Sequence, residues 1–327
     1  MMAEQDKALF NSLIKPVPPL RRDIHLFQEE VDGQAVIGFH DDLAYATPQF
    51  ALPADAEQLL SLVNGEYSIQ QMLMYCSDEI KAEDLLNYIQ FLDSHGILDS
   101  DYFKKKSEQT DHQYESSDVH KSITAGHSYP ADEKELNSYL NKMFEGFSRE
   151  MDAATSAKAL FAPHIDPRIG ISSYVQAFSS IRNLKPKQVV MLGTSHYSGL
   201  FGALYDFKPF IGVHKDFELV NGKIQSSDSA FENLKKNRHQ AELTSLTFQD
   251  RAHRVEHSLE IHALFLNYIW NHDFEIIPLL VGSFDELMYM ENSSLGMEVD
   301  KLAGVLSDTF LNDEDTFILV SGDLSHV

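Results

Sequence analysis

At 327 residues the chain exceeds the usual length of one domain, and a 43% hydrophobic content is that of a globular chain rather than a disordered or fibrous one. Fifty acidic against 26 basic side chains give a formal charge of -24, a field that repels phosphate backbones and excludes nucleic acid as a partner. No apolar run reaches the roughly 18 residues needed to cross a bilayer, no signal-peptide pattern opens the chain, and the lone cysteine, Cys76, can form no internal disulfide. A cytoplasmic protein with no membrane partner is expected.

After a short tail (1–19), the chain opens with alternating, strand-like pieces: RRDIHLFQEE, QAVIGFHDD and AYATPQFALP. Helical spacing follows in DAEQLLSLVNG, SIQQMLMYC and KAEDLLNYIQFLDSHGILDS. Ser68 stands as an N-cap before IQQML, and Gly65 and Gly96 stand where helices stop. Small strands followed by short helices predict an α+β, winged-helix-like module over 20–103. Residues 1–100 hold 5 Lys and Arg against 17 Asp and Glu, a net of -12, so DNA binding is not expected of it.

Residues 104–122, KKKSEQTDHQYESSDVHKS, are polar without apolar periodicity and read as a linker dividing the chain near residue 110. From 123 onward, continuous apolar runs (AKALFAPH, KQVVMLGTSH, FEIIPLLVG, DTFILVSGDLSH) alternate with amphipathic stretches such as SSYVQAFSSIRNL and HSLEIHALFLNYIW. Runs apolar throughout are strands covered on both faces, so the second part, 123–327, is predicted to be an α/β domain, an open sheet with helices on both faces.

Three of those strands end in histidine: ALFAPH at His164, VVMLGTSH at His196, and FILVSGDLSH with Asp323, Ser325 and His326. In open α/β sheets ligands bind beyond the carboxyl ends of the strands, so the repetition points to one shared pocket. A fourth cluster, RAHRVEHSLEIHALF, places His253, Glu256, His257, Glu260 and His262 near a helix start. It is not the HExxH zinc-protease motif, and a solvated helix face is its bland alternative. His214, His239, His253 and His272 have polar sequence neighbours and read as solvated. Neutral imidazoles beside a carboxylate suit Fe(II) or Zn(II), and two histidines with one carboxylate leave positions open for substrate.

Two resemblances rest on these residues. The run FALPADAEQLLSLVNGEYSIQQMLMY, closing in LLNYIQFLDSHGILDS, resembles PqqD-like domains, which implies a peptide or protein ligand for residues 20–102. AGHSYPADEKELNSYLNKMF (125–144), FAPHIDPRIGISSYVQAF, VVMLGTSHYSG, HRVEHSLEIHALFL, IIPLLVGSF and VSGDLSHV resemble, in order and spacing, the Memo family, also called AmmeMemoRadiSam system protein B. The resemblance implies a fold similar to class III extradiol dioxygenases, which hold Fe(II) with two histidines and a carboxylate. His164 and His196 match the family's metal histidines, and His257 its pocket acid or base. The third metal position falls in DLSH, where some relatives have cysteine and this chain has Ser325, so Asp323, His326 or water completes the sphere. Asp166, beside Arg168, stands where many relatives read Ala-Gly-Tyr; it adds a carboxylate and a second candidate base.

The resulting expectation is a metal-binding, dioxygenase-like redox protein with Fe(II) as the favoured ion and Zn(II) or copper as alternatives, acting on a small molecule or peptide. A non-catalytic interaction scaffold and a zinc-dependent hydrolase are the competing readings. Because relatives continue past VSGDLSHV, a shortened chain is expected to have a mobile end, weaker metal occupancy at Ser325 and His326, and a tendency to form homo-oligomers.

Overall fold

The computed structural model describes residues 9–77, 79–145, 156–284, 289–290, 293–311 and 313–323. Contacts divide the chain into two compact units, Met1–Gln113 and Tyr114–Val327. Expectations that fall on Ser325 and His326 lie outside the described residues.

In the smaller unit, strands β1 (Ile24–Val31), β2 (Gln34–Asp41) and β3 (Ala51–Pro53) form an antiparallel sheet in that order. The first hairpin turns at Asp32 and Gly33, both with positive φ (52° and 77°), the conformation for which Asp-Gly is the preferred pair. Helices α1 (Glu57–Leu60), α2 (Ile69–Met72) and α3 (Ala82–Ser94) follow. Ser68 caps α2 in a reciprocal box with Gln71, and Gly96 takes up φ 76° just after α3. Ile69, Met72, Leu85, Ile89 and Leu92 pack with Leu52 of the sheet to form the core.

One polar group is fixed inside this unit. The Arg21 side chain has no exposure; it donates to Asp41 at 2.8 and 3.1 Å, to Asp23 at 2.6 Å and to the Gly96 carbonyl at 2.9 Å, with the Phe103 ring 4.0 Å from its guanidinium. Asp41 also accepts from the backbone N–H of Leu43, Tyr45 and Ala46. Burial works against its charge, but the Arg21 bonds outweigh it and hold the carboxyl below its ordinary pKa.

The stretch read as a linker is instead mostly helix α4 (Asp101–Glu115) and strand β4 (Val119–Lys121). The helix has little apolar stripe to betray it because polar side chains hold it. Tyr45 donates to Asp111 within the smaller unit, and within the larger one Lys215 donates to the Glu115 carbonyl while Tyr114 bonds His120 at 3.0 Å.

In the larger unit, helix α5 (Glu133–Glu145), strand β5 (Ala159–Ala162), helix α6 (Pro167–Ile181) and strand β6 (Gln188–Thr194) come first. Strands β7 (Phe210–Gly212), β8 (Asp216–Leu219) and β9 (Gly222–Ser226), helix α7 (Asp228–Gln240), strand β10 (Leu246–Thr247), helix α8 (Glu260–Ile269), strand β11 (Glu275–Val281), helix α9 (Leu295–Leu306) and strand β12 (Thr316–Ser321) complete it. The mostly parallel sheet runs β4-β8-β9-β11-β6-β12-β5, with β7 on β11 and β10 on β7. Alternate residues of β6 enter opposite cores: Val189 and Met191 pack with α5, α6 and α8, whereas Val190 packs with α7 and α9. Covering on both faces explains the unbroken apolar runs.

His253, read as solvated, is 2% exposed. A 3-10 turn, Arg251–Arg254, points Ala252 and His253 inward and leaves both arginines half-buried, so its polar neighbours in sequence are not its neighbours in space. His120 and His262 are buried as well. Burial pushes His120 and His262 down to a pKa of about 3 and His253 to about 4.

Two outcomes follow for stability. Arg21→Met strands the Asp41 charge, and a loss of about 3–5 kcal/mol is expected in the unfolding of the smaller unit; an unmoved urea midpoint refutes this. The three histidines stay neutral in the fold but take protons in the unfolded chain below about pH 6.5. Their contribution is therefore complete above that pH and lost on acidification toward pH 4, at up to about 1.4 kcal/mol per pH unit for each residue. A melting temperature that is flat between pH 7.5 and 4.5 contradicts it.

Candidate metal centre

Three adjacent parallel strands, β6, β12 and β5, carry the site. Ser321 lies opposite Ala162 on one side and Gly193 on the other, so the three strands end level at one sheet edge. His164 and Asp323 stand two residues beyond Ala162 and Ser321, and His196 two beyond Thr194. Register thus converts three separate motifs into one cluster. The Nε2 atoms of His164 and His196 are 3.2 Å apart, and Asp323 Oδ2 lies 3.6 Å from His164 Nε2. The Asp323 carboxylate also accepts from the His164 backbone N–H at 3.3 Å.

His257 joins from the loop before α8. Its ring stacks on His196 with centroids 4.9 Å apart and an interplanar angle of 17°, and lies edge-on to His164 at 6.0 Å. The sequence-derived trio His164, His196 and His257 therefore converges.

Each of the facing imidazoles is held from behind. Ser321 donates its hydroxyl to the Ser258 carbonyl at 2.5 Å, so toward His164 Nδ1, 3.1 Å away, it can only accept. Glu256 accepts from His196 Nδ1 at 2.9 Å and from the His196 backbone at 2.7 Å. With both rings neutral this network favours protons on Nδ1 and turns both Nε2 lone pairs toward one another; with His196 protonated, its Nε2–H donates to His164 Nε2. Two neutral rings repel there, and a cation or a shared proton between them removes the repulsion.

Glu256 itself is 3% exposed. Burial opposes its charge, yet the bonds from His196 prevail and hold its pKa below the ordinary glutamate value. In return, its hydrogen bond raises the pKa of His196, while burial lowers those of His164 and His257. His196, Glu256 and His257 also have ligand atoms within 4.8 Å of one another, a grouping compatible with a divalent ion. Glu256 Oε1 already accepts from His196 and from the Ser258 N–H at 3.0 Å, so an ion there displaces existing bonds, whereas one between the Nε2 atoms does not.

Asp166 is placed differently. It caps α6, accepting from the Arg168 N–H at 2.8 Å, and pairs with the Arg168 guanidinium, whose hydrogen bonds hold its carboxyl below the usual range. It makes no hydrogen bond to the imidazoles among the described residues, and its geometry is that of a helix cap.

Glu256 was named from sequence only as a member of the RAHRVEHSLEIHALF cluster, with no role, and Ser321 was not named; adjacency to His257 and to the end of a histidine-tipped strand was the available signal. Glu260, fully buried, was noted only as a helix neighbour. It accepts from the N–H groups of Ile123 and Thr124, from the Thr124 hydroxyl and from Tyr129, and so ties the ITAGHSY segment to the start of α8.

Residues 121–327 match the family described as Memo-like protein. A MEMO1 family protein of Aquifex aeolicus (strain VF5) is 25% identical over 291 residues, 88% of this chain and 71% of that protein, so the likeness extends well into the smaller unit. Another from the same organism is 28% identical over 209 residues, 64% of this chain and 67% of that protein. A MEMO1 family protein of Methanococcoides burtonii is 27% identical over 206 residues, 62% of this chain and 66% of that protein. The chain thus spans about two thirds of the length of these relatives. No helix among the described residues is long and apolar enough to cross a membrane.

The approach of the Glu256 loop to β6 depends on Gly193. A Cβ there meets the Leu259 side chain at 2.5 Å and Ser258 Oγ at 2.6 Å. Gly193→Ala is expected to cost about 1–3 kcal/mol by overpacking and to displace Glu256 with its loop. Wild-type stability with unchanged histidine NMR shifts runs against this account.

Proposed function

The chain belongs to the Memo-like family, and from that premise we propose that its larger unit is a divalent-metal protein of dioxygenase-like redox function, cytoplasmic, acting on a small molecule or peptide. The observation that carries this reading is the pair of Nε2 atoms 3.2 Å apart, with Asp323 beside them. Two nitrogens bound to one ion at about 2.0–2.1 Å stand about 2.9–3.4 Å apart for right-angled to tetrahedral geometry, and the observed separation falls in that range. With Asp323 the donors make a two-histidine, one-carboxylate set, which favours Fe(II), with Zn(II) or copper next. Ser325 and His326, two and three residues after Asp323 in sequence, are further ligand candidates.

Bound there, Fe(II) supplies the one-electron chemistry that activates dioxygen. The protein's own residues do the rest. His164 and His196 would hold the ion, with Ser321 and Glu256 bonded behind them at Nδ1 to orient the rings. His257, kept neutral by burial and with Nδ1 3.5 Å from Glu256, offers Nε2 to take up a proton and return it. Asp166, committed to Arg168, is left out of proton transfer.

The smaller unit supports the peptide side of the reading. It holds a groove of about 600 Å³ lined by Leu52, Leu59, Leu62, Tyr75, Ile80 and Tyr88, enough for several side chains. A peptide seated there is carried by the same chain as the metal centre, which raises its effective concentration.

Anaerobic purification without chelators, followed by metal analysis, tests the proposal. His164→Ala and His196→Ala are each expected to weaken metal binding by more than about 100-fold, beyond the 10–100-fold typical of losing a supporting group, whereas His257→Ala keeps the metal and loses turnover. Equal metal content in all variants overturns the centre. Zinc alone in the parent protein turns the reading toward hydrolysis, and a stable protein indifferent to metal turns it toward a scaffold.

A further inference from the structure

A second group of donors belongs to the smaller unit, on its first hairpin. His25 of β1 and His40 of β2 are directly opposed in the strand register, so their side chains leave the same face of the sheet. That face is the solvent face, because Ile24, Ile37 and Phe39 turn the other way into the core. Asp42, the residue after β2, reaches back to both rings. Its Oδ2 lies 3.1 Å from His25 Nε2 and its Oδ1 3.1 Å from His40 Nε2. Each ring nitrogen that faces outward from its backbone is thus directed at one carboxylate.

The backbone that carries these three residues is fixed by the buried Arg21. Asp41, between His40 and Asp42, turns inward to Arg21 and accepts from the N–H groups of Leu43, Tyr45 and Ala46, which closes the turn just beyond Asp42. Asp23, two residues before His25, pairs with the same guanidinium at 2.6 Å. One interior cation therefore pins both strand ends that present the donors. Asp42 is held close, its side chain 20% exposed, whereas the rings of His25 and His40 are 68% and 64% exposed and free to turn. The net charge of -12 over residues 1–100 adds a field that gathers cations.

We propose that His25, His40 and Asp42 form a surface site for a divalent transition-metal ion of the zinc class, with water completing the sphere. Imidazole nitrogens with one carboxylate suit such ions, whereas magnesium and calcium require oxygen donors throughout. Each 3.1 Å edge falls in the roughly 2.9–3.4 Å range of two donors on one ion. The rings meet different oxygens of the carboxylate, so the three donors are not yet gathered about one point. Directly opposed residues have Cβ atoms only about 4.5–5.5 Å apart, and rotation of the exposed rings about their side-chain bonds closes the set without moving the backbone. The site shares no residue with the metal centre of the larger unit and stands independently of it.

Titration of the metal-free full chain with zinc, followed by calorimetry and by histidine side-chain NMR, tests the assignment. Zinc is expected to shift the Nε2 resonances of His25 and His40, and excess magnesium is expected not to reverse the shift. His25→Ala and His40→Ala should each weaken zinc binding at the hairpin by about 10-fold or more, near the upper end for removing a group that supports a metal site, and Asp42→Asn several-fold. All three residues lie at the surface, so the unfolding midpoint should stay within the small range of exposed substitutions. A chain carrying both His164→Ala and His196→Ala should keep the hairpin response, which separates this site from the centre. Resonances of His25 and His40 that zinc leaves unmoved, or parent affinity at the hairpin in both single alanine variants, overturn the site. So does a response that magnesium reproduces, or one that disappears with His164 and His196.

Discussion

A carboxylate almost sealed from water, that of Glu256, governs the geometry around it. A charge in the interior is tolerated only when hydrogen bonds replace its lost hydration. Here the replacements are the backbone and ring of His196 at the end of β6 and the Ser258 N–H before α8. Satisfying one charge therefore joins a strand end to a helix start, sets the tautomer of one histidine and leaves a second stacked on it. Glu260, four residues later, does the same for the ITAGHSY segment. The short stretch from Glu256 to Glu260 acts through what it accepts.

Much of this centre was legible in the sequence, for a definite reason. Parallel strands covered on both faces are apolar throughout, so the point at which polarity returns marks the strand end, and histidines at three such points predict a cluster. What was not legible depended on depth. Glu256 and Asp166 are both acidic residues one or two positions from a histidine, yet one is buried under His196 and the other is turned outward by the Pro167 start of α6 to meet Arg168. His253 misled in the same way, its inward direction set by the four-residue 3-10 turn Arg251–Arg254.

The helix α4 presents the opposite case. Pattern reading looks for an apolar stripe, and α4 is fixed by the phenol–carboxylate bond of Tyr45 to Asp111, by the Lys215 ammonium at its last carbonyls and by the Tyr114–His120 contact. A helix held by directed polar bonds is invisible to a hydrophobic period. Arg21 in the smaller unit belongs to the same class, a buried cation whose necessity shows only when its three acceptors are found together.

The position of β5 has a dynamic meaning. Among the described residues it pairs only with β12, contains four residues and leaves Phe161 about half exposed. Short edge strands are the first part of a sheet to open, and their amides exchange with solvent earliest. His164 follows this short edge strand, whereas His196 follows β6, deep in the sheet. An ion held by both would fasten the margin to the interior across the intervening β12, and its binding free energy would appear as slower opening of residues 159–162. The centre would then be a clasp on the sheet as well as a place for chemistry, and the stiffness of this edge would rise and fall with occupancy.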